Sequence, residues 1–95
     1  MAERRVVIAS KVGLHARPAS LFVQAATAAP AAVTIAKAGG EPVSARSILS
    51  ILALDARGGD EVVLAAEGDG ADEALDALVA FLEVDHDAEE AGAGG

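Results

Sequence analysis

The sequence predicts a small α+β two-layer sandwich, and three observations point to it. The chain has 95 residues, room for one domain. Its apolar periodicity switches between 2 and 3.6 along the chain. The segments marked in this way run strand, helix, strand, strand, helix, strand, helix, an order that layers helices on a sheet. The apolar share is 53%, but 24 of the 50 hydrophobic residues are alanine. The 26 larger side chains suit one modest core and exclude a large enzyme with a deep cleft.

Val6-Val7-Ile8 is a β-branched run and reads as the first strand. Ser10 to Leu14, with Lys11 and Gly13, reads as a loop. A helix follows His15. Pro18 fits its first turn, where a missing N–H costs nothing, and Pro30 stops it. Phe22, Ala25, Ala26 and Ala29 share one helical face; Ala16, Ser20, Val23 and Thr27 share the opposite one. Val33 and Ile35 alternate with Thr34 and Ala36 as a strand. The turn Ala38-Gly39-Gly40-Glu41 leads into a short return strand, Pro42-Val43-Ser44. The run from Ile48 to Leu54 fits either a strand or a short helix. The spacing of Ile48, Ile51 and Leu52, with Ser47 as a cap, favours the helix, and Gly58-Gly59 ends it. Asp60 to Ala66 is a strand with Val62, Leu64 and Ala66 on one side and Val63 on the other. After the turn at Asp69-Gly70, the residues Ala71, Ala74, Leu75, Leu78 and Leu82 line one face of a helix. Residues 1–85 are expected to form the domain. Residues 86–95, acidic and glycine-rich, are expected to be a disordered tail.

The net charge of −8 is unevenly placed. Residues 1–57 hold all seven basic residues against three acidic ones, a net of +4. Residues 58–95 hold twelve acidic residues and no Lys or Arg, a net of −12. This predicts a dipolar molecule whose positive end meets acidic partners. Nucleic acid is excluded as a partner, because no basic stripe exists and the acidic half repels phosphates. Without cysteine there is no disulfide or thiol chemistry, and two widely separated histidines suggest no metal site. No apolar run reaches the length of a membrane span, and the short N-terminal one is too brief for a secretory signal. A cytoplasmic location is the default.

His15 is the one residue placed for chemistry. If the helix starts just after it, the imidazole sits where backbone N–H groups lack intrahelical partners and the helix dipole is positive. Such an end holds phosphate, and Arg17 adds a guanidinium to the same anion. The dipole also disfavours imidazolium, which keeps the ring neutral and nucleophilic. Taken from spacing alone, the plainer reading prevails, that His15 is a loop residue capping a helix. His86, among acids near the C-terminus, reads as an incidental solvated histidine.

The segment Gly13-Leu14-His15-Ala16-Arg17-Pro18-Ala19 resembles the active-site signature of the histidine-containing phosphocarrier (HPr) family of the bacterial phosphotransferase system. Ser47-Ile48-Leu49 followed by Leu54 resembles the family's second signature. The order of elements and Gly59-Asp60-Glu61-Val62-Val63-Leu64 agree as well, so the resemblance covers roughly residues 2–85. It implies an open-faced β-sandwich, with a four-stranded antiparallel sheet covered on one face by three helices. It further implies that His15 accepts a phosphoryl group through Nδ1 from phosphorylated enzyme I and passes it to the IIA domain of a sugar permease. Arg17 and the backbone N–H groups of Ala16 and Arg17 would steady the phosphate. No cofactor is implied, and the chain would be a monomeric substrate of its partners more than an enzyme with its own turnover.

The docking surface then falls on Ala16, Ser20, Val23 and Thr27 beside Ile48, Leu49 and Leu52, ringed by Arg17 and Arg46. The plainer reading of Ile48, Leu49 and Leu52 is core packing, and one or two of them are expected in the core. Ser47 caps the second helix; in some family members the matching serine is phosphorylated by a kinase, which would add negative charge to this surface. The sequence departs from the common pattern in a longer hairpin turn, in the acidic tail, and in Asp55, which stands where many members have glycine. The alternatives are a regulatory protein read out by its phosphorylation state, or the same carrier chemistry in a nitrogen or dihydroxyacetone branch.

Overall fold

Alternation of inward and outward side chains sets the sheet. In the computed structural model, which describes residues 2–9 and 16–84, β1 (Ala2–Val7), β2 (Val33–Lys37), β3 (Val43–Ser44) and β4 (Glu61–Ala66) form one sheet in the order β1-β4-β2-β3. Every neighbouring pair is antiparallel. Val6 lies opposite Val62, and Ile35 opposite Leu64. Side chains of such facing pairs project to the same side, so Val6, Val33, Ile35, Val62, Leu64 and Ala66 make one buried face. Three helices cover it: α1 (Ala16–Ala28), α2 (Ile48–Leu54) and α3 (Ala71–Glu83). The architecture is the expected open-faced sandwich.

Each helix buries one stripe. From α1 come Ala19, Phe22 and Ala26, from α2 only Ile51, and from α3 Ala74, Leu75, Leu78 and Leu82. Burying each of the leucine, isoleucine and phenylalanine side chains contributes roughly 1.5–3 kcal/mol. The Phe22 and Phe81 rings meet edge to face with centroids 5.7 Å apart, which fixes the end of α3 against α1. At the other end of α3, Gly70 has φ 82°, and a Cβ built on it would come within 2.8 Å of Pro30 Cβ. Both the backbone angle and the close approach require glycine there.

The first strand differs from expectation. It begins at Ala2, before the β-branched run, and ends at Val7; Ile8 lies beyond it and is still buried. Polar residues Glu3, Arg4 and Arg5 hid its start. Arg4, directed to the helical side, is satisfied by Asp72 at 3.2 Å and Asp76 at 3.6 Å on α3. The expected disordered tail lies outside the described residues.

Candidate functional site

The stem of the segment carrying His15 is held on two sides. Ile8 donates its N–H to the Asp60 carbonyl at 3.0 Å, and Gly59 donates to the Ile8 carbonyl at 2.9 Å. Ala9 donates to the Leu82 carbonyl at 3.0 Å, in the last turn of α3. The chain re-enters regular structure at Ala16, the first residue of α1 and the neighbour of His15. Residues 10–15, His15 and Lys11 included, lie outside the described residues, as does the Ala16 side chain. Arg17 is exposed in the first turn of α1, which itself contains no acidic residue.

α1 and α2 pack side by side. Ser20 and Thr27 are exposed, and Val23 is half-buried against the core. Thr27 turns its hydroxyl back to the Val23 carbonyl at 2.8 Å. On α2, Leu49 is 76% exposed, Ile48 38% and Leu52 39%. None of the three is core, contrary to the plainer reading. Ile51 alone takes that place, because the helix is short and touches the core through one turn. Ser47 caps α2 in extended conformation, its hydroxyl accepting from the Ser50 N–H at 3.3 Å.

Arg46 has a task the sequence did not reveal. Its Nε donates to the Ala26 carbonyl at 3.1 Å, and a terminal nitrogen donates to Ala29 at 3.2 Å. The guanidinium thus satisfies carbonyls at the C-terminal end of α1, where the dipole is negative. The rim cation of the expected docking face is also a helix cap supplied from twenty residues away. Only the absence of a basic residue in the last turn of α1 hinted at it.

The expected charge split is softened by pairing. Arg5 lies 3.6 Å from Glu61, Lys37 3.6 Å from Asp60, and Arg57 3.2 Å from Asp55, besides the pairs of Arg4 with α3. Much of the positive half is therefore neutralised locally, in several places by acids of the later half. Asp60 also accepts the Arg57 backbone N–H at 2.9 Å. That bond, with Lys37 beside it, holds its carboxyl below the usual aspartate range. Asp55, the position noted for its departure from glycine, ends α2 in the left-handed conformation at φ 53°.

Among the described residues, no three His, Asp or Glu side chains converge as a metal set, and no helix is long and apolar enough to cross a membrane. An open depression of about 670 Å³ lies between Ala2, Ala66 and the first turns of α3. Glu67, Asp72, Glu73 and Asp76 line it, so it repels a phosphate and contains none of the candidate residues.

A four-stranded antiparallel sheet under three helices makes this a small protein of the open-faced sandwich class, with a histidine preceding its acid-free first helix in the sequence. The family described as "PTS HPr component phosphorylation site" matches residues 2–84. The chain belongs to this family, the HPr proteins of the phosphotransferase system. It is 59% identical over 82 residues to the phosphocarrier protein HPr of Streptomyces coelicolor, covering 86% of this chain and 88% of that one. The HPr-like protein Crh of Halalkalibacterium halodurans is 41% identical over 83 residues, covering 87% and 98% of the two chains. The crystal structure of an HPr from Thermoanaerobacter tengcongensis superposes with a TM-score of 0.81 at 43% identity, covering 87% of this chain and 92% of that one.

Proposed function

We propose that the chain is the phosphocarrier of a sugar phosphotransferase system, a cytoplasmic monomer with His15 as the phospho-acceptor. The observation that carries this reading is that α1 begins at Ala16, the residue that follows Gly13-Leu14-His15 in the sequence and precedes Arg17-Pro18. The imidazole Nδ1 attacks the phosphorus held by phosphorylated enzyme I. A phosphorus–nitrogen bond forms at His15 as the donor's bond to phosphorus breaks, and the reverse exchange delivers the group to a IIA domain. First-turn N–H groups at Ala16 and Arg17, with the Arg17 guanidinium, hold the phosphate without trapping it. Between partners such a transfer is mostly positioning and charge stabilisation.

Docking falls on the α1–α2 face. The exposure of Leu49, Ile48 and Leu52 supports this, as does the lack of any carboxylate on either helix. Ser20, Val23, Thr27, Arg17 and Arg46 border them. Ser47, half-buried at the start of α2, is the regulatory position, open to a serine kinase. Incubation with enzyme I, magnesium and phosphoenolpyruvate should give an acid-labile phosphate on the wild-type chain and none on His15→Ala. Label persisting in that variant would refute the assignment.

A further inference from the structure

Strand alternation assigns the position of Lys37 to an apolar residue. It closes β2 two positions after Ile35 and stands opposite Val62, both fully buried, so its side chain leaves the sheet on the helical side. A cation there needs partners. The Lys37 ammonium donates to the Asp55 carbonyl at 3.4 Å and lies 3.6 Å from the Asp60 carboxylate. Asp60 is itself steadied by the Arg57 N–H at 2.9 Å. Asp55 is the C-cap of α2, where carbonyls lack intrahelical partners and the helix dipole is negative. Lys37 thus does for α2 what Arg46 does for α1: a cation sent from another element closes the negative end of the helix.

The two ends of α2 are held differently. At its start stand the Ser47 cap and the Arg46 bonds to α1. At its end Leu54 is half-buried and Ala56 buried, which keeps the chain on the core. Such contacts are non-directional. Of the seven residues of α2 only Ile51 is fully buried, while Ile48, Leu49 and Leu52 face solvent, so apolar packing alone leaves the helix free to roll. The Asp55 carboxylate pairs with Arg57 two positions on, within the same loop. The bond from Lys37 ties this end to the sheet.

We propose that Lys37 is a positioning residue for partner docking: through the Asp55 carbonyl it fixes the roll of α2, and with it the direction in which Leu49 and Leu52 are presented. The inference rests on the docking face proposed above. Lys37 acts through α2 and not by contact with the partner.

The test compares three full-length variants with the wild-type chain. Lys37→Met keeps an apolar stem and removes the donor, Lys37→Arg restores a cation, and Leu49→Asp reports on the face itself. In phosphoryl transfer from enzyme I, Lys37→Met should raise KM about two- to five-fold with kcat unchanged, and Lys37→Arg should recover most of the loss. Amide hydrogen exchange in Lys37→Met should quicken at Leu52, Ala53 and Leu54 and stay unchanged at Leu75 and Leu78 in the core, which a general loss of stability would also move. A wild-type KM for Lys37→Met beside a raised one for Leu49→Asp would overturn the inference and leave the docking face standing. A wild-type KM for both would remove the docking face, and the inference with it. A raised KM that Lys37→Arg does not lower would also overturn it. So would exchange quickened throughout the chain, because Lys37 would then stabilise the fold and orient nothing.

Discussion

Arg46 Nε donates to the carbonyl of Ala26 at 3.1 Å, and this bond ties the approach of α2 to the exit of α1. The two helices that form the proposed docking face are thus aligned by a residue on its rim. Arg46→Met keeps the aliphatic stem and removes the donors, leaving the Ala26 carbonyl with the Ala29 N–H and taking the guanidinium donor from the Ala29 carbonyl. A loss of about 0.5–1.5 kcal/mol is expected in chemical denaturation, with Arg46→Lys in between. Equal stability of Arg46→Met and wild type would deny the capping role.

Leu49 and Ile51 are two residues apart and should respond in opposite ways. Leu49→Asp, at a position 76% exposed, should leave stability within roughly 0.5 kcal/mol while raising KM for transfer from enzyme I. Ile51→Ala, at a fully buried position, should cost about 2–5 kcal/mol. The pair is read by thermal melts alongside transfer kinetics. A normal KM for Leu49→Asp would remove α2 from the docking face.

Ser47 separates capping from charge. Ser47→Ala loses the acceptor for Ser50 N–H and should cost about 1 kcal/mol. Ser47→Asp keeps a capping oxygen, so it should hold its stability yet slow transfer by placing negative charge beside Leu49. If both variants transfer phosphate at the wild-type rate, the serine is a cap and nothing more.

Asp55 adopts φ 53° at the end of α2, where its carboxylate also opposes the negative end of the helix. Asp55→Gly removes the cost of the left-handed backbone and should raise stability by roughly 0.5–1 kcal/mol, despite losing the contact to Arg57. Asp55→Ala should lower it. The midpoint of thermal unfolding orders the three chains, and a less stable glycine variant would show that the Arg57 contact dominates.

The Asp60 carboxyl is held low by the Arg57 N–H and Lys37. A carboxyl depressed in the folded state contributes stability that is complete above its unfolded value, near 3.8. That contribution fades as pH falls further, through the lower folded value. Asp60→Asn should therefore flatten the acid limb of the stability curve below about pH 4 and leave its shape unchanged toward neutrality. Parallel curves from pH 2 to 7 would deny the shift.

The sequence was most readable where periodicity is regular. The five inward residues from Ala71 to Leu82 are buried as their spacing requires, and Val62, Leu64 and Ala66 alternate as expected. The start of β1 was obscured because Arg4 faces the helices, and its partners Asp72 and Asp76 lie some seventy residues away. The second role of Arg46 was invisible for a similar reason. A capping donor that arrives from another element leaves no local pattern. The signature around His15 was legible as residue types at a helix start, and α1 does begin at Ala16. The separation of Ile51 from Ile48, Leu49 and Leu52 required knowing how α2 rolls against α1.

The antiparallel pairing of β1 with β4 also has a consequence for biosynthesis. On a ribosome, residues 2–7 emerge before their partners at 61–66, which follow more than fifty residues later. An anchor of the segment that leads to His15 comes later still, since Ala9 waits for Leu82. Closing so long a loop carries an entropic cost that nearby contacts cannot offset early. The stem at Ala9 is thus among the last parts of the molecule to be fixed, and a nascent chain stalled before α3 would lack that anchor.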